Sequence, residues 1–249
     1  MKTIHSILTI FFLSVLMSCT KDSTNAASSQ SGAGGSTARF TIAGNYLYVV
    51  DHTSVKSFDI SNNAKPVYNS KTEIGINIET IFPYQDKLFI GSSSSMYIYS
   101  LADPGKPARI AKAEYTIRMS CDPVIAKDSV AYATLRATGR CGGGMSALVV
   151  FNIKKISEPV QVNTVGLNTP YGLGLKDSAL YVCEGSGGLS IFNVRNAFNP
   201  QFASGISGNT YYDVISYGNI LIAQVSDGFV LFDIGSNPLK PVFISKVLN

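Results

Sequence analysis

Tryptophan is missing from the 249 residues, histidine occurs only as His5 and His52, and 14% of the residues are charged. Each shortage excludes something. Two histidines cannot build a multi-histidine metal centre, so no metal site is expected. The Gly142-Gly143-Gly144 run lacks the following Lys-Ser/Thr of a phosphate loop, and no G-x-S-x-G elbow occurs, so no cofactor is expected either. A formal charge of +4 offers no Lys/Arg cluster able to displace counterions from nucleic acid. Beyond Met17 no apolar window is long enough to cross a hydrocarbon layer of ~30 Å. A hydrophobic content of 45%, in contrast, is ample for a core and excludes wholesale disorder.

The first residues read as an address. Lys2 precedes an apolar run from Ile4 to Met17, the length of a secretory leader rather than of a spanning helix. The run ends in Leu16-Met17-Ser18-Cys19, which resembles the bacterial lipobox, whose cysteine is diacylated and becomes the mature N-terminus. Residues 1–19 are therefore expected to be a lipoprotein signal, with Cys19 lipidated and two acyl chains giving stable membrane attachment. Residues 20–38 hold no large apolar side chain and are expected to form a flexible tether. Thr20 is not the Asp of inner-membrane retention, and Lys21-Asp22 is similar to export signals of Bacteroidetes lipoproteins. The expected location is the outer membrane, lipid-anchored, with exposure on the cell surface the further possibility.

From Arg39 onward one unit is written five times. The aromatic of an F-D-I type triplet falls at Phe58, Tyr99, Phe151, Phe192 and Phe232, in steps of 41, 52, 41 and 40 residues. A proline follows at Pro66, Pro107, Pro159, Pro200 and Pro241. Repeats of this period decide the fold before any local reading does. The units run over about 39–74, 75–116, 117–166, 167–207 and 208–249. Each contains four short runs with strand chemistry. The first run holds Ile42, Ile81, Val124, Leu173 and Val214, and a turn follows at Gly44-Asn45, Gln85-Asp86, Lys127-Asp128, Lys176-Asp177 and Gly218-Asn219. The second run begins at Leu47, Leu88, Ala131, Leu180 and Leu221 and alternates as a half-buried strand does.

Four-stranded antiparallel sheets with two apolar faces must stack. The expected fold is all-β, a five-bladed β-propeller of four-stranded blades, because a closed ring leaves only short outer edges. An open β-solenoid would need shorter and more regular rungs. The chain enters with a first-run strand and finishes with a fourth-run strand, so no blade borrows a strand across the termini. Closure would rest on packing of blade five against blade one, the seam expected to be weakest.

Phrases such as LYVCEGSGGLSIFNV and LIAQVSDGFVLFDI resemble the LVIVD repeat, a propeller repeat of bacterial surface and secreted proteins. CDPVIAKDSVAYATLRATGRCGGG and NTPYGLGLKDSALYVCEG are similar to the core of Bacteroidetes LVIVD lipoproteins. The resemblance implies the architecture and lends no activity.

With Cys19 assigned to lipid, Cys121, Cys141 and Cys183 remain. Cys121 and Cys141 flank the enlarged loop of the third unit and are expected to pair as a disulfide in an exported protein. Cys183 lies in the apolar Leu180-Tyr181-Val182 pattern and reads as an inert buried thiol. Hairpin geometry places the starts of first strands and the loops after second strands on one face, around the channel mouth. That candidate ligand face carries Asp51, Glu79, Asp122, Arg136, Arg140, Tyr171, Glu184, Asp213 and Asp227. The opposite face carries the hairpin turns and Pro loops, with Lys65, Lys87, Lys106, Lys154, Lys155, Lys176 and Lys240. No catalytic residue is assigned. The expected function is a cell-envelope binding or scaffolding module for a protein or glycan partner, with membrane contact through the lipid and no nucleic acid. The alternative is a carboxylate-based glycan hydrolase at the mouth, which needs two carboxylates ~5 to 9.5 Å apart. Convergence of two among Glu79, Asp122, Glu184 and Asp213 in a concave pocket would favour that alternative.

Overall fold

A computed structural model describes residues 35–116, 123–137 and 144–249, and every regular element within them is a β-strand. The strands form five separate four-stranded sheets, each meandering in chain order. Blade 1 holds β1 (Phe40–Ala43), β2 (Tyr46–Val50), β3 (Ser54–Asp59) and β4 (Val67–Glu73). Blade 2 holds β5 (Ile78–Tyr84), β6 (Lys87–Ser92), β7 (Ser95–Ser100) and β8 (Ala108–Glu114). Blade 3 holds β9 (Val124–Lys127), β10 (Val130–Leu135), β11 (Ala147–Asn152) and β12 (Val160–Gly166). Blade 4 holds β13 (Leu173–Lys176), β14 (Ala179–Cys183), β15 (Leu189–Asn193) and β16 (Gln201–Ile206). Blade 5 holds β17 (Tyr211–Tyr217), β18 (Ile220–Val225), β19 (Gly228–Asp233) and β20 (Val242–Leu248). The protein is thus an all-β, five-bladed β-propeller.

The repeated triplet has a physical reason at each position. Its aromatic pairs across the sheet with the first residue of the second run: Leu47 with Phe58, Leu88 with Tyr99, Ala131 with Phe151, Leu180 with Phe192 and Leu221 with Phe232. The short polar residue that follows turns the chain. Side-chain oxygens of Asp59, Ser100, Asn152, Asn193 and Asp233 each accept the backbone N–H two residues on, the local bond that makes Asx and Ser good turn formers. The N–H of the third residue then donates to the hairpin turn, from Ile60, Leu101, Ile153, Val194 and Ile234 to the carbonyls of Asn45, Asp86, Ser129, Ser178 and Asn219.

Register differs from the sequence reading in two places. Phe40 pairs with Val49 as Ile81 pairs with Ile90, Val124 with Ala133, Leu173 with Val182 and Val214 with Ala223. Phe40, not Ile42, is therefore the first-run residue of blade 1. In blades 3 and 4, Lys127 and Lys176 belong to the strands, pairing with Val130 and Ala179, and the left-handed turn residues are Asp128 and Asp177.

Alternate faces of each sheet pack on the two neighbouring blades. Tyr48, Val50 and Val55 of blade 1 cluster with Ile81, Leu88, Ile90 and Tyr99 of blade 2. Phe89, Met96 and Ile98 of blade 2 meet Val124, Ala131, Val149 and Phe151 of blade 3. Tyr132, Leu148 and Val150 of blade 3 meet Leu173, Leu180 and Phe192 of blade 4. Tyr181, Leu189 and Ile191 of blade 4 meet Val214, Leu221, Val230 and Phe232 of blade 5. Tyrosine hydroxyls stitch these seams: Tyr48, Tyr132 and Tyr181 donate to the carbonyls of Pro104, Ala197 and Pro238 in the next blade's Pro loop.

The fifth seam is different. Phe40 is 62% exposed, whereas its counterparts Ile81, Val124, Leu173 and Val214 are 2% exposed or less. Phe229 of blade 5 is 42% exposed, against 1% or less for Val55, Met96, Leu148 and Leu189 in the same position. Ile222 and Leu231 on blade 5, and Leu47, Val49 and Phe58 on blade 1, are only half-buried. The two ends are joined instead through the centre. Gly35–Ala38, which composition assigns to the tether, lies in the channel: Ser36 is 1% exposed, donates to Asp213 of blade 5 and accepts the Leu173 N–H of blade 4 at 2.7 Å. On the other side the Ile81 N–H of blade 2 donates to Ala38.

Candidate functional site

The channel-spanning segment divides the centre of the ring into two compartments. Below Ser36, toward the hairpin turns, is an apolar cavity of about 370 Å³ lined by Phe82, Ile125, Leu173, Leu175 and Ile215. Above it, at the mouth, is a smaller and more polar pocket of about 280 Å³ lined by Thr37, Arg39, Glu79, Thr80, Pro123, Arg136, Pro170 and Tyr171. The lower cavity is mainly apolar, its polar groups being Ser36, Tyr84, Lys127 and Ser216, whereas the mouth brings charged groups of both signs together.

Two guanidiniums define that pocket. Arg136 extends beyond β10 and lies 4.0 Å from the centroid of the Tyr171 ring. Tyr171 is fixed in turn by an edge-on contact with Tyr212 at 5.3 Å and by the Thr134 hydroxyl, which donates to its carbonyl at 2.6 Å. Stacking of this kind leaves the in-plane N–H groups of an arginine free to point at a ligand. The Arg136 Nε is buried, and among the described residues nothing accepts its hydrogen bond. Arg39 reaches across from the start of blade 1, donating weakly to the carbonyls of Glu79 and Ile78 and lying 3.5 Å from the His52 Nδ1. Between them stands Glu79, whose carboxyl is pushed above the usual carboxylate value by burial, although Arg39, Arg136 and His52 act in the opposite direction.

The other acidic candidates are held in the framework. Asp213 is buried and accepts hydrogen bonds from the Thr37 hydroxyl at 2.5 Å, the Thr37 and Val214 N–H groups and the Ser36 hydroxyl. Burial raises its carboxyl and these bonds only partly offset that. Gly35 and Gly172 flank it so closely that a Cβ on either would lie 2.0 Å from a carboxylate oxygen. Glu184 accepts from the Asn168 N–H at 2.8 Å and from the Ser190 hydroxyl at 2.5 Å. Asp51 caps its own β2–β3 turn through Thr53 and Ser54 and pairs with Lys56 at 3.3 Å. The Thr53 N–H, first among these contacts, holds it well below the usual carboxylate range. Asp227 is exposed and pairs with Lys246. Glu79, Arg136 and Tyr171 are thus brought together, whereas Asp51, Glu184, Asp213 and Asp227 are not.

Cys19, Cys121, Cys141, Asp122 and Arg140 lie outside the described residues. Cys183 is a buried free thiol whose pKa burial pushes well up, as expected of an inert cysteine. Among the described residues no group of three His, Cys, Asp or Glu converges as metal ligands would. Sequence reasoning missed Arg39 and Thr37. The signal for Arg39 was positional: it occupies the column of Thr80, Pro123, Gly172 and Asp213, one residue before the column of Phe40, Ile81, Val124, Leu173 and Val214.

Comparison with known proteins bears on the fold. The LVIVD repeat profile matches residues 34–72, which cover the channel segment and most of blade 1. No curated protein matches in sequence. Among solved structures, a computationally designed protein is similar at TM-score 0.61 and 10% identity, over 84% of this chain and 60% of that one. The periplasmic gluconolactonase of Pseudomonas aeruginosa is similar at TM-score 0.63 and 16% identity, over 82% and 68%. A chain of a nidogen/laminin complex is similar at TM-score 0.57 and 13% identity, over 82% and 76%. An enzyme and a member of a protein complex thus share the architecture, and at these identities the likeness is one of fold alone.

Proposed function

We propose, from the premise that the chain is an LVIVD-repeat β-propeller, that it is a non-catalytic binding module of the cell envelope. It is carried to the outer membrane on lipid at Cys19 and holds a protein or glycan partner by an anionic group at the channel mouth. The observation that supports this reading is the charge balance of the pocket. Among the described residues two guanidiniums, one of them with a buried Nε that no described group accepts from, face a single half-buried carboxyl. Such a set suits a carboxylate, sulfate or phosphate, because a guanidinium fork matches their planar or tetrahedral oxygens. A hydrolase needs a second carboxylate in the same pocket; among the described residues Glu184 and Asp213 spend their oxygens on framework bonds, and Asp122, next to the pocket-lining Pro123, lies outside those residues.

The test is capture of partners from intact outer membranes with the lipid-anchored chain, comparing wild type, Arg136→Gln, Arg39→Gln and Glu79→Gln. Binding through the anion predicts loss of the captured partner in both arginine variants and equal or stronger capture by Glu79→Gln, which removes a competing negative charge. Unchanged capture by the arginine variants would reject the reading. Turnover of an acidic oligosaccharide that disappears with Glu79→Gln would favour the hydrolase instead.

A further inference from the structure

We propose that the apolar cavity below Ser36 is a second ligand site, independent of the mouth, which takes a monocarboxylate whose apolar body fills the inner end and whose carboxylate sits at the rim beside Lys127. The cavity is polarised along its length. Ser36 stands at its inner end, bonded to Asp213 and to the Leu173 N–H. The other end opens on the hairpin-turn face, where the half-buried Tyr84 and Lys127 line it just before the left-handed turn residues Gln85 and Asp128. Between these ends the walls are Phe82, Ile125, Leu173 and Ile215, one from each of blades 2 to 5.

The volume sets the size of the body. A dry apolar cavity of about 150 Å³ holds one benzene, about 25 Å³ per carbon, so this space of about 370 Å³ takes about ten to fourteen carbons. Mostly apolar walls with a few placed polar groups are also the usual makeup of a small-molecule site of this size.

The polar groups select the head. The Ser216 hydroxyl spends its hydrogen on the Leu175 carbonyl at 2.7 Å, and the Tyr84 hydroxyl donates to the Asp128 carboxylate at 3.1 Å while accepting the Asp128 N–H. A sugar or nucleoside would therefore bury several of its own hydroxyls here without partners, at a cost for each. Lys127 is the one charged residue lining the cavity. Its ammonium carries three N–H donors, one of which goes to the Asp177 carbonyl at 3.1 Å. Among the described residues no carboxylate pairs with it, since Asp177 faces Lys176 and Asp128 takes the Tyr84 hydroxyl. Backbone donors stand beside it. The Leu173 and Val214 N–H groups turn away from their own sheets, toward Ser36 and Asp213. The alternation of an antiparallel ladder turns the N–H groups two residues further on, at Leu175 and Ser216, the same way, and that of Ala126 in the matching place of blade 3. Hydrocarbon at the inner end with an ammonium and amide donors at the rim suits an apolar tail ending in a carboxylate.

The experiment uses the full chain in phospholipid nanodiscs. It is photolabelled with dodecanoate carrying a diazirine in its chain, and the labelled residues are read by peptide mass spectrometry. The expected result is saturable label on β5, β9, β13 or β17, displaced by unlabelled dodecanoate and not by dodecanol. Lys127→Gln should weaken labelling by about tenfold or more, the worth of a charge-assisted hydrogen bond, and Lys127→Arg should retain it. No saturable label on these strands, displacement by dodecanol equal to that by dodecanoate, or labelling that Lys127→Gln leaves intact would overturn the proposal. Label on Glu79, Pro170 or Tyr171 in place of these strands would also overturn it, assigning the carboxylate to the mouth. If Lys127→Gln loses its β-sheet circular dichroism, the dodecanol comparison and Lys127→Arg decide.

Discussion

Asp213 is the residue on which most of the centre depends. It lies in the mouth column yet serves as the anchor of the channel segment, binding Thr37 and Ser36 from the other end of the chain. Removing it in Asp213→Ala takes the acceptor from the buried Ser36 hydroxyl and from the exposed Thr37 and frees residues 35–38, a loss of about 2 kcal/mol by the usual worth of hydrogen bonds to a charged group. The melting temperature should fall by about 5 °C at this chain length; an unchanged value would show that the segment is not held there. Its raised carboxyl also sets a pH dependence. A group whose folded pKa is raised contributes stability that is fully present below its unfolded value and lost as pH rises through the folded value. Asp51 is lowered, so its contribution is present above the unfolded value and lost as pH falls through the folded one. Melting temperature should therefore rise on mild acidification from neutral pH and fall once Asp51 protonates, and Asp213→Asn should reduce the rise to the share left by Glu79, whose carboxyl burial also raises. At this scale the sequence was legible in part. Glu79, Arg136 and Tyr171 could be placed at the mouth from hairpin geometry alone. Arg39 could not, because reading Ile42 instead of Phe40 as the counterpart of Ile81, Val124, Leu173 and Val214 displaced blade 1 by two residues and hid the column in which Arg39 stands.

At the scale of the strand and the blade, nearly everything was written in the repeat. The aromatic, the short polar residue and the aliphatic of each triplet do three separate jobs, in packing, turning and closing the hairpin, and their joint recurrence made all twenty strands countable in advance. What the repeat did not announce is the role of the tyrosines. Tyr48, Tyr132 and Tyr181 look like ordinary strand aromatics, yet each is nearly or fully buried and carries its hydroxyl to a carbonyl of the next blade. Burial drives all three phenols well above their usual pKa, so they remain donors at any working pH. Tyr181→Phe should therefore destabilise by about 1 kcal/mol, the net worth of a single neutral hydrogen bond plus an unmatched acceptor. Denaturant titration reads this directly, and a variant as stable as wild type would mean that water replaces the hydroxyl at no cost.

For the molecule as a whole, blade number and order followed from counting, whereas the state of the ring did not. Local patterns specify each face as apolar, and they are the same at blade 5 and blade 1 as elsewhere. Whether the last pair meets depends on the accumulated angle of four packed seams and on the side chains in the centre, which no single repeat encodes. Small residues at the centre (Gly35 and Gly172) make room for Asp213, so the channel is bridged by the chain's own leading segment bound to it, and the mouth above it becomes a shallow pocket with two cationic walls. That architecture explains how a scaffold of near-copies can carry one distinctive site. The asymmetry comes from the segment before β1 and from the enlarged loop of blade 3, the two places where the repeat is broken.

Anion binding by this pocket is read by calorimetric titration of the wild type and Arg136→Gln with oligogalacturonate and with its methyl ester. The free acid is expected to bind the wild type, Arg136→Gln to weaken it by about tenfold or more, the worth of a charge-assisted hydrogen bond, and the ester to bind neither. Equal binding of acid and ester, or an affinity that Arg136→Gln leaves untouched, would contradict it.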